Sequence, residues 1–184
     1  VSTDSIDTAL LERLAAGVRD IPDYPSPGIL FKDITPLLAD PDLFAASVAA
    51  LAAAHGPGSG AEVDLVAGIE ARGFIFGAGV ALALGVGFVP IRKKGKLPNA
   101  TVSAEYTLEY GTAVIEVHED AVSPGQRVLL LDDVLATGGT AEAAAGLLER
   151  VGAQVVSVSF LAELGFLNGR ERLVGRDVKS LLNF

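Results

Sequence analysis

The chain reads as an α/β protein built on a mostly parallel sheet flanked by helices, and three features carry that expectation. Short runs of near-continuous apolar character, among them Val128-Leu129-Leu130-Leu131 and Val155 to Leu161, have the composition of strands buried on both faces. Helical patterns alternate with them, as in proteins whose sheet is covered on two sides. The residues with chemical potential follow the strands, at Glu70-Ala71-Arg72-Gly73, Arg92 and Asp132-Asp133. Parallel sheets collect ligands at those carboxyl ends.

Leu10, Leu14 and Val18 recur at helical spacing, so an amphipathic helix is expected from about Thr8 to Arg19. Pro22, Pro25, Pro27 and Pro36, with Gly28, argue for irregular backbone from Pro22 to Pro36, while Ile29, Leu30, Phe31 and Ile34 make that stretch a structured hood rather than a linker. Asp40-Pro41 opens a second helix, Asp40 capping and Pro41 at the first helical position. A flexible connection, His55-Gly56-Pro57-Gly58-Ser59-Gly60, leads to a strand at Asp64–Ala67 and a helix after Gly73. Further strands are expected at Gly87–Ile91, Arg127–Leu131 and Val155–Leu161, with a helix from Thr140. Between Lys93 and about His118, the partly alternating Tyr106, Leu108, Tyr110 and Val114-Ile115-Glu116-Val117 predict a two-stranded ribbon, an insertion of the kind that serves as a lid or binding loop.

At 184 residues the chain is expected to form one domain, 1–184, with the N-terminal helix and hood over about 1–38 and the lid over about 93–118. Cysteine is absent, which removes disulfides and thiol chemistry, and with only His55 and His118 no dedicated protein metal site is expected. Both histidines are read as structural. Charges, prolines and glycines break every apolar stretch before the ~20 residues of a membrane span. The first residues carry Asp4, Asp7 and Glu12 without a basic-then-apolar pattern, so a cytoplasmic protein is expected. A net charge of -9 argues against general nucleic-acid binding. Arg92, Lys93, Lys94 and Lys96 reverse that balance locally.

The strand Val128–Leu131 runs into Asp132-Asp133-Val134-Leu135-Ala136-Thr137-Gly138-Gly139-Thr140 and then into a strong helix former. Backbone N–H groups and a helix N-terminus converge there, so the loop is a cradle for phosphate. Its glycines admit close approach, and Thr137 and Thr140 add hydroxyl donors. Carboxylates repel phosphate, and the acidic pair is therefore assigned to a ribose whose 5′-phosphate lies in the loop. Asp132 and Asp133 would accept hydrogen bonds from sugar hydroxyls and stabilise a sugar carbon that becomes cationic. Gly68-Ile69-Glu70-Ala71-Arg72-Gly73 repeats the strand, turn, helix logic, with Arg72 placed at a helix start to meet an anion.

These residues resemble the phosphoribosyl pyrophosphate (PRPP) loop of the type I phosphoribosyltransferases. Asp23 to Leu38, Ala67 to Gly77, Arg92-Lys93-Lys94-Gly95-Lys96-Leu97-Pro98 and Leu108-Glu109-Tyr110-Gly111 narrow the resemblance to the adenine phosphoribosyltransferase family, over about Ile21 to Gly169. Lys32 departs from it, since arginine is the more usual residue there. The resemblance implies a type I phosphoribosyltransferase-like fold and transfer of 5-phosphoribosyl from PRPP to adenine, giving AMP and pyrophosphate in purine salvage. Mg²⁺ is implied as cofactor, bound mainly through PRPP or pyrophosphate, and a homodimer as the assembly.

By the same resemblance, Ala136, Thr137, Gly138, Gly139 and Thr140 hold the 5′-phosphate, and Arg72 with Arg92, Lys93 and Lys96 meets the pyrophosphate. Glu109 is the base or proton relay to the purine, and Tyr110 closes over it. Leu30, Phe31 and Lys32 read the purine, with Phe31 either its apolar wall or a plain core aromatic. The bond between Glu70 and Ala71 is a candidate cis peptide. A non-catalytic sensor of PRPP or a purine, and the same transfer to another 6-substituted purine, remain open at this level.

Overall fold

The alternating pattern does build a parallel sheet between helices. In the computed structural model, which describes residues 7–107 and 112–184, the elements are α1 (Thr8–Ala16), β1 (Arg19–Pro22), β2 (Leu30–Asp33), α2 (Thr35–Ala39), α3 (Pro41–Ala53), β3 (Leu65–Ile69), α4 (Gly73–Leu84), β4 (Gly87–Lys93), β5 (Thr101–Thr107), β6 (Thr112–His118), β7 (Arg127–Leu135), α5 (Gly139–Arg150), β8 (Gln154–Glu163) and β9 (Val178–Asn183). Two short 3-10 turns, Gly165–Leu167 and Gly169–Leu173, lie between β8 and β9.

Among the described residues the main sheet has the order β5-β6-β4-β3-β7-β8-β9. Neighbours from β4 to β9 run parallel, while β6 pairs antiparallel with both β4 and β5. The lid ribbon therefore extends the sheet through Arg92↔Glu116 and Lys93↔Ile115. Period-two alternation splits the core. Val128 and Leu130 pack with Ala144, Leu147 and Leu148 of α5, whereas Leu129 and Leu131 pack with Phe76 and Val80 of α4, Leu51 of α3 and Leu14 of α1. Truncating one such leucine to alanine costs about 2–5 kcal/mol.

The amino-terminal part departs from the sequence reading. Helix α1 ends at Ala16 rather than reaching Arg19, because Gly17 brings the chain close against Leu43 and Leu37: a Cβ there would lie 2.8 Å from Leu43 Cδ1. The hood is also not irregular throughout. Its β1 and β2 form an antiparallel ribbon in which Arg19 faces Asp33 and Asp20 faces Lys32. Both pairs close as ion pairs, at 2.9 and 2.6 Å, and cross-strand opposite charges support pairing that proline and glycine obscure in the sequence. Asp33 then accepts from Thr35 N at 2.9 Å, leading into α2. Asp40 caps α3 as expected, accepting from Asp42 N and Leu43 N.

Among the described residues, no helix is long and apolar enough to cross a membrane.

Candidate active site

The loops after β7 and β3 meet the hood at the carboxyl end of the parallel strands. The first follows β7. Strand pairing continues through the acidic pair to Leu135, four residues beyond the expected end, so Asp132 and Asp133 sit on rigid backbone rather than in the loop. Asp133 is 4% exposed, and its N–H donates to Asp132 Oδ1 at 2.9 Å. Burial pushes both carboxyls above the ordinary aspartate range; for Asp132 the Asp133 charge adds to the rise, and for Asp133 the Arg72 charge opposes it.

After Leu135 the chain turns at Gly138, whose φ of 83° suits glycine, and enters α5 at Gly139 with no side-chain cap. No side chain caps the first-turn N–H groups of α5, the arrangement in which helix N-termini can receive an anion. A cavity of about 70 Å³ opens at this point, lined by Asp132, Val134 to Gly138, Thr140, Ala141 and Phe160. Gly138 and Gly139 are buried, Thr140 is half-buried and Thr137 is exposed.

The second loop follows β3. Its Glu70–Ala71 peptide bond is cis, as the resemblance suggested. Arg72 occupies the N-cap position of α4 without a side-chain capping bond, and its Nε lies 2.7 Å from Asp133 Oδ2. This close charge contact is not aligned as a hydrogen bond, for Oδ2 has no hydrogen-bond partner among the described residues. Glu70 turns the other way, accepting from Arg92 Nε at 3.2 Å and from Lys93 N at 2.9 Å, which holds its carboxyl below the usual glutamate range. Arg92 also donates to Lys96 O at 3.1 Å, tying the β3 and β4 loops together. The side chains of Lys93 and Lys96 are exposed.

The third part is the hood. A cavity of about 200 Å³ lies under it, walled by Ile29 to Lys32, Arg72, Val134, Ala136 and Leu164. Phe31 takes its place in this wall rather than in either core cluster, with Tyr24 edge-on at 5.2 Å and the Arg72 guanidinium carbon 5.5 Å from its ring centre. The Lys32 ammonium is committed elsewhere, to Asp20 at 2.6 Å and over the Phe184 ring at 4.2 Å. Leu164 escaped the sequence reading, although its position just past a parallel strand is the signal that would have found it.

Glu109 and Tyr110 fall outside the described residues. Among the described residues, no group of three or more His, Asp or Glu side chains is placed to hold a metal ion. His55 lies beneath β8, with Nε2 3.1 Å from Ser159 Oγ; burial and then the Lys179 charge lower its pKa to about 4. His118 Nε2 is buried on β6.

Residues 37–173 match the model of the phosphoribosyl transferase domain. Adenine phosphoribosyltransferase of Acidothermus cellulolyticus is 62% identical over 93% of this chain and 95% of its own length. The crystal structure of adenine phosphoribosyltransferase from Thermoanaerobacter pseudethanolicus superposes with a TM-score of 0.90 at 55% identity, covering 95% of this chain and 99% of that one. The enzyme from Saccharomyces cerevisiae, complexed with an imino-altritol bisphosphate and adenine, gives 0.88 at 38% identity over 95% and 99%. A cradle after β7, a second turn after β3 and a hooded cavity thus stand on a chain whose sequence and fold agree with these relatives almost end to end: it belongs to the adenine phosphoribosyltransferases, within the phosphoribosyl transferase family.

Proposed function

We propose that the chain transfers 5-phosphoribosyl from PRPP to N9 of adenine, giving AMP and pyrophosphate in purine salvage. The observation that carries this reading is that the hooded cavity and the cradle cavity share Val134 and Ala136 as walls. A largely apolar cavity and a loop of backbone N–H groups therefore abut, as a base and a ribose 5-phosphate must when a bond forms between them.

Ala136 to Thr140 hold the 5′-phosphate through backbone N–H groups and hydroxyls. Asp132 lines the same cavity, where its carboxylate can accept a ribose hydroxyl and lower the energy of positive charge at C1. Asp133 sits behind it, close to Arg72. As the C1–oxygen bond breaks, the electron pair leaves on pyrophosphate, which Arg72, Arg92, Lys93 and Lys96 surround with positive charge. The C1–N9 bond forms on the opposite side, and Glu109 takes or relays the N9 proton while Tyr110 covers the base. Among the described residues strand β2 pairs with β1 alone, so its other edge offers backbone carbonyl and N–H groups to the 6-amino group and N1 of adenine. A 6-oxopurine presents the reversed pattern and leaves those groups unpaired.

The two carboxylates of the acidic pair fall short of a metal cage, which fits an ion that arrives on the donor. Mg²⁺, when bound, neutralises the diphosphate and makes it a better leaving group. A donor so highly charged does not cross membranes unaided, which supports a cytoplasmic setting, and the family resemblance supports a homodimer.

One assay tests the assignment: adenine, hypoxanthine, guanine and xanthine offered with PRPP, with and without Mg²⁺. Adenine alone should turn over well, and only with the metal. Equal turnover of all four purines, or PRPP binding without turnover, would overturn the reading.

A further inference from the structure

The segment between β8 and β9 supports the cradle from beneath. Gly169, which opens the second 3-10 turn, is buried and meets the β7 loop at two places. A Cβ built at Gly138 would run into the Gly169 carbonyl, and a Cβ built at Gly169 would run into the Ala136 carbonyl and come within 2.9 Å of Leu135 Cδ1. Gly169 does not have the positive φ of its neighbour Asn168, so glycine is required there for space and not for its backbone angles.

The turn is itself anchored. Arg170 Nε donates to both carboxylate oxygens of Glu163 at 2.8 Å, its Nη1 to Val178 O at 2.9 Å and its Nη2 to Ser180 Oγ at 3.1 Å. Ser180 Oγ completes the cluster by donating to Glu163 at 2.9 Å. Glu163 is the last residue of β8, 6% exposed, and Arg170 holds its carboxyl below the usual range. On the other side Arg172 reaches Glu142 of α5 at 3.3 Å. A buried carboxylate satisfied on so many sides is a rigid mount.

We infer that Gly169, held by Arg170, Glu163 and Ser180, is a positioning residue for the donor: it is the floor on which the Ala136–Gly138 backbone rests and sets the direction of the N–H groups that meet the 5′-phosphate. This rests on the reading of Ala136 to Thr140 as the phosphate cradle. Displacing the Ala136 carbonyl by one methyl group disturbs the 5′-phosphate subsite and leaves the pyrophosphate subsite, built on β3 and β4, in place.

Gly169→Ala is the direct test. Its KM for PRPP and its Kd for ribose 5-phosphate should rise on the order of 10-fold or more, with Kd for pyrophosphate within about 2-fold of wild type. Arg170→Lys, which loses the forked contacts but keeps the charge, should show the same selective loss to a smaller degree and serves if Gly169→Ala does not fold. Gly138→Val separates the two ideas. If it leaves ribose 5-phosphate binding unchanged, the cradle lies elsewhere and both fall. If Gly138→Val abolishes binding while Gly169→Ala and Arg170→Lys bind normally, the cradle stands and the floor is overturned. Equal losses for every ligand with a lowered melting temperature would also overturn it, as a purely structural role.

Discussion

Arg72 Nε stands 2.7 Å from Asp133 Oδ2 while its guanidinium carbon lies 5.5 Å from the Phe31 ring centre, so one cation touches both the acidic pair and the hood. The side chain is 44% exposed at the shared edge of the two, and in the proposed reaction an incoming diphosphate competes with Asp133 for it.

Arg72→Ala should therefore weaken more than donor binding. Without its charge Asp133 is left buried and unpaired, and the pKa of the acidic pair rises further. We expect kcat/KM for PRPP to fall roughly 10²-fold and the acid limb of its pH profile to move to higher pH. An unchanged acid limb would show that Arg72 acts on the donor alone.

Asp132→Asn with Asp133→Asn keeps shape and removes the charge. Turnover should drop roughly 10²-fold or more. The folded state holds protons on this pair at pH values where an unfolded chain has lost them, so ionisation at neutral pH costs stability. The double variant should thus melt no lower than wild type at pH 7. Wild-type turnover would remove the pair from the reaction.

Glu109→Gln keeps size and hydrogen bonding but cannot take a proton. Single-turnover AMP formation should slow by ~10²–10⁴-fold with PRPP affinity little changed. A normal chemical step would make Glu109 a bystander, and a large affinity loss would place it at the donor.

His55 predicts an acid sensitivity remote from catalysis. Its pKa falls from 6.5 to about 4 on folding, so the unfolded chain binds the extra proton between those values. The stabilisation is complete above about pH 6.5 and is lost as pH falls towards 4, on the order of 3 kcal/mol in all. Denaturant titrations of wild type and His55→Gln from pH 4 to 7 should show the slope in the first and its reduction in the second. Identical slopes would contradict a buried neutral imidazole.

The parallel strands, the Asp40 cap, the ribbon between Lys93 and His118 and the glycine turn after β7 were all legible in the sequence. Each depends on residues close together in the chain: an apolar run, a capping pair, an alternation, a Thr-Gly-Gly-Thr turn. The hood ribbon was not, because its signal is two charge pairs formed across strands, Arg19 with Asp33 and Asp20 with Lys32, set among prolines that argue locally for irregular backbone. Strand β9 was missed as well, since Val178 to Asn183 is short and becomes a strand by pairing with β8.

Composition and local pattern by themselves determined an α/β sheet with acidic and glycine-rich turns at the carboxyl ends of its strands, because side-chain periodicity and turn chemistry are written residue by residue. Only the tertiary structure decided that Arg72 pairs with Asp133, that the Lys32 charge is spent on Asp20, that Val134 and Ala136 wall two cavities at once, and that Gly169 lies under the loop. Those relationships join residues distant in sequence, and they exist only where packing brings separate strands, turns and helices within a few ångströms of one another.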